Sequence, residues 1–316
     1  MATTHVFTLN DVYRQSLEGT WVAQSWNAVW FGAGYGDAGQ ISSIERVIFA
    51  SDTATAVVKG RLSGGKYLHA AHGSPSDAWY GGGAYISTVD RIIFASDTAT
   101  AVVKGSLSTS SKRGVAAHGN ETDAWFGGGM SSPISIVDRV IFSADTATAV
   151  AKGPLSAARY AGAASGNTTD AWFGGGNTGS IVSIVDRIIF SADTATAVAK
   201  GPLSVARYFI GAAHGSPTNG WYGGGGLGPS PSLLSRVDRI IFASDTATAV
   251  VKGSLTETKH ALAAGGNTTD AWFGSGYNSV GPGNTSIVNR IIFASDTATA
   301  VARGPLSLGR HGSAAN

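Results

Sequence analysis

Short apolar segments recur along this chain, and turns rich in glycine, serine, asparagine and aspartate separate them. One unit shows the pattern with four segments: Val115–His118 is made of small residues, Ala124–Gly127 carries two aromatic rings, Ile136–Phe142 is dense in β-branched residues, and Ala147–Lys152 follows a tight turn. None of these segments has the 3.6-residue apolar period of an amphipathic helix. The pattern therefore predicts four short β-strands per unit, the third of them buried on both faces.

The whole unit recurs six times. A tryptophan in the second predicted strand marks each copy: Trp30, Trp79, Trp125, Trp172, Trp221 and Trp272. An aspartate marks the turn between the third and fourth strands: Asp52, Asp97, Asp145, Asp193, Asp245 and Asp296. Successive copies lie about fifty residues apart, a period typical of solenoids, propellers and repeat arrays.

Six units of four strands predict an all-β fold, a closed six-bladed β-propeller of four-stranded antiparallel blades. A linear solenoid is the alternative, but it needs polar caps at both ends, and only the N-terminal arm could serve as one. Residues 1–20 match no repeat and are expected to form that arm, with one strand at Val6–Leu9, while residues 21–316 form the propeller. Both Trp21–Gln24 and His311–Ala315 match the first-strand pattern, so we expect pairing of the N- and C-terminal strands to close the ring. Which of the two is innermost stays open.

The repeat resembles the kelch repeat. The resemblance rests on an aromatic before a glycine pair, an aromatic before the Asp-Thr turn, and a Pro-Leu pair followed by an arginine; in the fourth unit these are Trp172, Gly175, Gly176, Phe190, Pro202, Leu203 and Arg207. The chain departs from the family at Ala197, where kelch repeats carry a tryptophan. The resemblance implies a propeller, and it implies little about function because the family includes enzymes, adaptors and lectin-like proteins.

Composition and charge narrow the function classes. The net charge is +2, and nearly all of the 22 basic residues recur once per repeat, which distributes them around the ring instead of in one patch. We therefore expect no nucleic-acid partner. The chain has no cysteine, which excludes disulfides, thiolate metal sites and the cysteine–tyrosine crosslink of the kelch-like copper oxidases. No run of 18 apolar residues exists, so we expect no membrane partner, and we expect a monomer without a cofactor.

Repeat comparison points to a binding rim. The connections between the second and third strands, and those between successive units, vary in length and sequence, and in such blades both sets lie on one face. The candidate ligand-binding residues on this rim are Tyr35, Tyr85, Tyr277, Arg159, Tyr160, Arg207 and Tyr208. Aromatic faces beside hydrogen-bond donors suit sugar rings or peptide side chains. Neutral drift of the loops, with tyrosines packed onto the blade edges, is the alternative explanation.

Three other residue sets have structural interpretations. The strand arginines Arg46, Arg91, Arg139, Arg187, Arg239 and Arg290 follow an acid, or Asn289 in the last unit, and we expect each to pair with an acid of the next blade. His72, His118 and His214 are assigned to one slot near the axis, where a polar channel lining is favoured over a metal site. Asn120, Asn167 and Asn267 begin glycosylation triplets in a turn that an asparagine side chain can cap by itself.

Catalysis finds little support in the sequence. On the variable face only two carboxylates occur, Asp37 and Glu257, and a glycosidase needs two within about 5–9.5 Å of each other. We therefore expect a non-catalytic module that binds a glycan or a cell-surface ligand through its rim, as part of a surface or virion attachment protein. A protein–protein interaction scaffold of the kelch type is the alternative.

Overall fold

A computed structural model describes residues 27–110, 112–130, 132–213, 216–228, 232–279, 281 and 283–316. Six antiparallel four-stranded sheets follow one another around a ring as blades, and each sheet runs outward from an innermost strand. The chain is thus a six-bladed β-propeller. No helix among the described residues is long and apolar enough to cross a bilayer. The predicted arm, residues 1–20 with its strand at Val6–Leu9, and the segment Trp21–Gln24 lie outside the described residues.

The strands follow the predicted order in every blade. Blade one contains β1 (Ala28–Gly36), β2 (Gly39–Ile48) and β3 (Val57–Arg61). Blade two contains β4 (Ala70–Gly73), β5 (Asp77–Gly81), β6 (Val89–Ile93) and β7 (Val102–Val103). Blade three contains β8 (Ala116–Gly119), β9 (Asp123–Gly127), β10 (Val137–Ile141) and β11 (Val150–Lys152). Blade four contains β12 (Ala163–Gly166), β13 (Asp170–Gly174), β14 (Val185–Ile189) and β15 (Val198–Lys200).

The last two blades repeat this order, and blade six adds a rim hairpin. Blade five contains β16 (Gly211–Ala213), β17 (Asn219–Gly223), β18 (Val237–Ile241) and β19 (Val250–Lys252). Blade six contains β20 (Ala263–Gly266), β21 (Asp270–Gly274), the hairpin strands β22 (Tyr277–Asn278) and β23 (Gly283–Asn284), then β24 (Val288–Ile292) and β25 (Val301–Arg303). A short 3-10 turn follows the third long strand of each blade: Phe49–Ser51, Phe94–Ser96, Phe142–Ala144, Phe190–Ala192, Phe242–Ser244 and Phe293–Ser295.

The C-terminal strand β26 (Ala314–Ala315) closes the ring. It pairs antiparallel with β1, with Phe31 opposite Ala315, and so supplies the innermost strand of blade one. Blade one is therefore built from both ends of the described chain, since its other three strands are β1 to β3. Strand β26 continues from blade six and β1 leads towards blade two, so the hydrogen bonds between these two strands hold the ring closed.

The outer part of each blade differs from the predicted boundaries. In blade three the third strand ends at Ile141, and Phe142 turns away into the 3-10 turn, where its ring stacks at 3.7 Å on Trp79 of blade two. The fourth strand begins at Val150 instead of Ala147. The reason is that the Ala149 N–H donates to the carbonyl of Ser106 in the preceding loop, so this segment bonds to the neighbouring blade before it joins its own.

Tryptophans fill the space between neighbouring blades. Each stacks on the phenylalanine of the next blade: Trp30 on Phe94, Trp79 on Phe142, Trp125 on Phe190, Trp172 on Phe242, Trp221 on Phe293 and Trp272 on Phe49. All six tryptophans are buried, and the hydrophobic clusters of the core each span two adjacent blades. The apolar energy of the fold therefore lies mainly between blades.

The strand arginines also join neighbouring blades, as expected. Arg139 bonds Asp123 of its own blade at 2.9 Å and approaches Asp193 of the next blade at 3.5 Å. The other five likewise reach the turn aspartate of the following blade. The residue that precedes each arginine, an acid in five blades and Asn289 in the sixth, faces the other way and is fully buried. Replacing the acid by Asn289 therefore leaves the arginine pairs of blade six unchanged. It affects instead a second set of buried ion pairs.

That second set consists of cations from the loops that enter each blade. The buried pairs are Lys66 with Asp90, Lys112 with Asp138, Arg159 with Asp186, Arg207 with Asp238 and Arg310 with Glu45. In blade six the acid is replaced by Asn289, and Lys259 pairs instead with Glu257 from its own loop at 3.4 Å. These cations attach each loop to the blade that follows it, and they fix where the residue after the cation lies.

Candidate functional site

The residue that follows each loop cation lies at the mouth of the central axis. At this position the six repeats carry Tyr67, Arg113, Tyr160, Tyr208, His260 and His311, all partly exposed. We call these six side chains the crown. Their common feature is a planar group, an aromatic ring, an imidazole or a guanidinium, although the residue types differ.

A closed circle of backbone hydrogen bonds supports the crown from below. The next residue in each repeat has a positive φ between 52° and 69°: Leu68, Gly114, Ala161, Phe209, Ala261 and Gly312. The N–H of each donates to the carbonyl of its equivalent in the preceding blade, at 2.6–2.7 Å, and Leu68 donates to Gly312 to complete the circle. We call this circle the axial ring. Non-glycine residues rarely adopt this backbone conformation, so four strained residues are held by the ring they form.

The variable loops lie directly beside the crown. Tyr35 and His311 form one antiparallel bridge, Tyr277 and His260 form another, and Tyr160 bridges to Asn177. The loops between second and third strands and the loops between blades therefore meet on one face, as the repeat comparison predicted. A pair of positive-φ residues makes this bend, such as Gly175 and Gly176 in blade four, which accounts for the recurrent glycine pair.

The rings of the crown and of the loop tyrosines contact one another in a continuous belt. Tyr35 lies 5.5 Å from both Tyr67 and His311, measured between ring centroids. Tyr277 lies 5.7 Å from both His311 and His260. The belt continues from His260 through Phe209, which lies 5.5 Å away, to Tyr208 and Tyr160.

Arg113 extends the belt beyond Tyr67. Its guanidinium carbon lies 4.9 Å from the ring of Tyr67 and 5.0 Å from that of Tyr85, and its Nη1 donates to the Tyr85 hydroxyl at 2.6 Å. Burial and the neighbouring Tyr208 phenol raise the pKa of Tyr160, while Arg113 opposes this shift. A cation held between two aromatic rings is fixed in position yet keeps donors for a ligand.

The predicted tyrosines are on the surface, but the predicted arginines are not. Tyr35, Tyr85 and Tyr277 are 40%, 47% and 37% exposed. Arg159 and Arg207 are buried beneath the crown, where each bonds a buried aspartate and backbone carbonyls of the following blade. The interpretation of these two arginines as rim donors is therefore replaced by a structural role. Arg113 is the guanidinium that reaches the surface of the crown.

Sequence comparison alone missed four members of the site, Tyr67, Arg113, His260 and His311. The available signal was their place directly after the loop cation in every repeat. It was obscured because tyrosine, histidine and arginine do not look alike in an alignment of repeats. Their equivalence follows from the positive-φ residue behind each of them.

The imidazoles of the crown are neutral near pH 7. Burial lowers the pKa of His260 to about 4, with His311 adding to the shift. Burial, and then Arg113, lower the pKa of His311. His311 Nδ1 lies 2.7 Å from the side-chain oxygen of Asn284, whose amide nitrogen donates to Asp37 at 2.7 Å. An amide oxygen only accepts, so Nδ1 of His311 carries the proton and donates.

The two carboxylates of this face each have partners within the described chain. Asp37 accepts from Asn284, and Glu257 accepts from Thr285 at 2.9 Å and pairs with Lys259. Asn284 and Thr285 are adjacent, so the two carboxylates flank the same hairpin of blade six.

The inner histidines do not form the expected set. His72 and His118 are buried near the axis, with ring centroids 4.9 Å apart, and each approaches a backbone carbonyl of the next blade. In blade five the residue in this slot, opposite Trp221, is Ala213. The turn between Ala213 and Asn219 is one residue longer than its equivalents, which is why the sequence comparison assigned His214 to the slot. His214 itself lies outside the described residues. Among the described residues no group of three or more histidines or acids could hold a metal ion.

The asparagine turns have the expected caps. Asn120 Oδ1 accepts from the backbone N–H groups of Thr122 and Asp123 at 2.9 Å, and Asn167 and Asn267 do the same in their turns.

Comparisons with known proteins support the fold. No protein-family model matches the chain, and no curated protein matches its sequence. A solved structure titled "Structure of YjhT" superimposes with a TM-score of 0.64, covers 79% of this chain and 86% of its own, and is 9% identical. At this identity the likeness extends to the propeller architecture alone, and the kelch repeat type stays a prediction.

Proposed function

We propose that this protein is a non-catalytic recognition module that binds a glycan across the crown. The observation that carries the proposal is the continuous belt of partly exposed rings around the axis, which a rigid circle of backbone hydrogen bonds supports. The belt is a platform rather than a deep pocket, because all of its rings are at least partly exposed and only Phe209 belongs to the axial ring itself.

The chemistry of the belt suits a saccharide. Tyrosine faces offer apolar surface against the C–H face of a sugar ring, and their hydroxyls lie at the edge of the same surface. The neutral imidazole of His311 donates from Nδ1 to Asn284, which leaves Nε2 as an acceptor for a sugar hydroxyl. Because the six-fold arrangement repeats similar groups around one axis, several weak contacts can act together. Such multivalent binding fits a surface or virion attachment protein.

A glycan-array measurement tests the proposal. The intact protein is compared with a variant carrying Tyr35→Ala, Tyr85→Ala and Tyr277→Ala, which are surface changes that leave the axial ring intact. The matched control carries Val150→Ala and Val250→Ala on the outer strands, where the side chains are exposed but lie away from the crown. We expect saturable binding to a group of related sugars that the tyrosine variant loses and the valine variant keeps. A blank array with folded protein would contradict glycan binding.

A protein-interaction scaffold is the second candidate, and one observation favours it. The outermost strands expose a valine in every blade: Val57, Val102, Val150, Val198, Val250 and Val301. Exposed apolar side chains that recur around a perimeter suit a protein partner better than a sugar. A pull-down with the same two variants separates the candidates, since a scaffold that binds through its perimeter should lose its partner in the valine variant and keep it in the tyrosine variant.

A further inference from the structure

Nearly every described basic side chain has a carboxylate partner. Within the ranges that the structure describes, all lysines and arginines lie within 4.0 Å of a carboxylate oxygen except Arg61, Arg113 and Arg236. Arg113 belongs to the crown, and Arg61 ends the exposed strand β3. Arg236 is partly buried and lies away from the crown, beside the outermost strand of blade five.

Arg236 also breaks the repeat. The equivalent residues of the other blades, identified by the same backbone bonds to the loop cation or the glycine pair, are uncharged: Ser43, Thr88, Ile136, Ile184 and Ile287. A guanidinium at a position that the fold otherwise fills with an uncharged side chain is not needed for the blade. It is a feature of blade five alone.

A groove of about 310 Å³ opens beside Arg236. Leu233 and Val251 supply apolar walls, and Arg236, Lys252, Ser254 and Thr258 supply polar ones. This volume lies at the lower end of the range for small-molecule sites, about 300–1,000 Å³.

Two hydroxyls line the groove at positions that vary between the repeats. Ser254 stands where three of the other loops have a proline, Pro154, Pro202 and Pro305, and where the loop into blade three also has a serine, Ser106. Thr258 stands where the loops into blades four and five have Ala158 and Ala206. Only Arg236 is without a counterpart in the other repeats, and two hydroxyls lie beside it in the same groove.

The charge of Arg236 is not compensated in the groove. Lys252 Nζ already pairs with Oδ1 of Asp296 at 3.1 Å. Arg236 Nη1 donates to Ser204 Oγ at 3.0 Å, which positions the guanidinium without neutralising it. Burial lowers the pKa of Arg207 to about 10, against the effect of Asp238, and Arg236 adds to the lowering. An anion in the groove would relieve this repulsion between two guanidinium groups.

We propose that the groove of blade five is an anion-binding site for a sulfate, phosphate or carboxylate group that carries an apolar substituent. Arg236 binds the anionic oxygens, the hydroxyls of Ser254 and Thr258 donate to them, and the substituent lies against Leu233 and Val251. A guanidinium fork suits planar or tetrahedral oxyanions through paired hydrogen bonds. This site is separate from the crown and does not depend on the glycan proposal.

The test uses 4-nitrophenyl sulfate as the probe and follows backbone amide shifts of the full chain by NMR titration. We expect saturable shifts at residues 235, 251, 254 and 258. Arg236→Ile installs the residue that three other blades carry at this place, so the fold is expected to persist, and affinity should fall about tenfold or more. Thr258→Ala, again a residue of the other repeats, should weaken binding by a smaller factor. Arg61→Ala removes a different unpaired arginine and should leave the affinity unchanged.

Two competitors separate the parts of the ligand. Inorganic sulfate should displace the probe, because the proposed site binds the oxyanion, whereas 4-nitrobenzyl alcohol, which carries no charge, should not compete. The crown variant with Tyr35→Ala and Tyr277→Ala should bind the probe normally, which separates failure here from failure of the proposed function. Shifts confined to the crown, the absence of saturation, or full affinity in a folded Arg236→Ile variant would each overturn the proposal.

Discussion

The indole Nε1 of Trp272 donates a hydrogen bond of 2.8 Å to Oδ2 of Asp52, although the two residues lie 220 positions apart in the chain. Trp272 belongs to blade six and Asp52 to the turn of blade one, so this bond crosses the closure of the ring. The same bond, between 2.9 and 3.1 Å, joins every other pair of neighbouring blades. The closing junction is therefore built like the five that the continuous chain makes.

Removal of the indole N–H at the closure should destabilise the whole propeller. Trp272→Phe keeps an aromatic ring to stack on Phe49 but leaves a buried carboxylate oxygen without this donor. We expect the free energy of unfolding to fall by about 2–4 kcal/mol, the cost of the lost charged hydrogen bond plus the smaller ring. Urea denaturation followed by tryptophan fluorescence measures the change.

Trp172→Phe provides the matched control for this prediction. Trp172 makes the same bond to Asp245 at a junction within the continuous chain. Equal losses in the two variants are expected if all junctions contribute alike. A much smaller loss at Trp272 would show that the closure adds little to stability.

A glycine between blades should be intolerant of any side chain. A Cβ built on Gly153 would lie 1.9 Å from the carbonyl oxygen of Ala195 in the next blade, a distance that forces the backbone apart. Gly153→Ala should therefore lower the free energy of unfolding by about 1–3 kcal/mol or more, the cost of an overpacked core. The midpoint of thermal unfolding should fall accordingly. Gly64→Ala is the control, because nothing lies within 4 Å of a Cβ there. An equal midpoint in both variants would contradict the packing argument.

The sequence predicted the architecture well because the repeat is regular where blades pack. The tryptophans, the turn aspartates and the strand arginines recur with little variation, and these residues make the contacts between blades. Repeated sequence of this kind reports repeated packing, so blade number, strand order and the shared face of the variable loops all followed from it.

The same pattern could not predict whether a loop side chain is buried or exposed. Arg159 and Arg207 precede surface tyrosines, yet each turns inward to a carboxylate that lies 27 and 31 positions further along, in the third long strand of the following blade. A loop arginine beside a tyrosine has the same local sequence whether it is buried or exposed. The groove of Arg236 escaped notice for the opposite reason, because one unpaired arginine has no periodic signal at all.

Restoring the missing acid in blade six should stabilise the protein. Lys259 is buried, and burial lowers its pKa to about 8, with Glu257 opposing the shift. Asn289→Asp supplies the carboxylate that the equivalent Lys66 and Lys112 have. We expect the pKa of Lys259 to rise and the free energy of unfolding at pH 7 to increase by about 1–3 kcal/mol.

The pH dependence gives this prediction a second readout. Between pH 8 and 10.5 Lys259 of the wild-type protein is protonated in the unfolded chain but not in the folded one. The free energy of unfolding of the wild type therefore rises with pH in this window, and the variant should lose this rise. Asp186→Asn makes the reverse change in blade four, where it leaves Arg159 buried without its acid, and should cost about 3–5 kcal/mol. A loss of stability in Asn289→Asp at pH 7 would contradict the pairing argument.

Acid should destabilise the propeller through a buried histidine beside the axis. Burial lowers the pKa of His69 to about 3, and Lys66 adds to the shift. Unfolding returns the imidazole to water, where its pKa is about 6.5, so between pH 6.5 and 3 the unfolded chain binds a proton that the folded chain does not. The free energy of unfolding should therefore fall as the pH decreases through this window, by up to about 1.4 kcal/mol per pH unit from this group.

His69→Leu introduces the residue that blade six carries as Leu262 in the same slot, and it should flatten this slope in urea denaturation measured from pH 7 to pH 4. Leu262→Val, a conservative change in the equivalent slot, should shift the stability at every pH without altering the slope. An unchanged slope in the His69→Leu variant would show that other groups cause the loss of stability in acid.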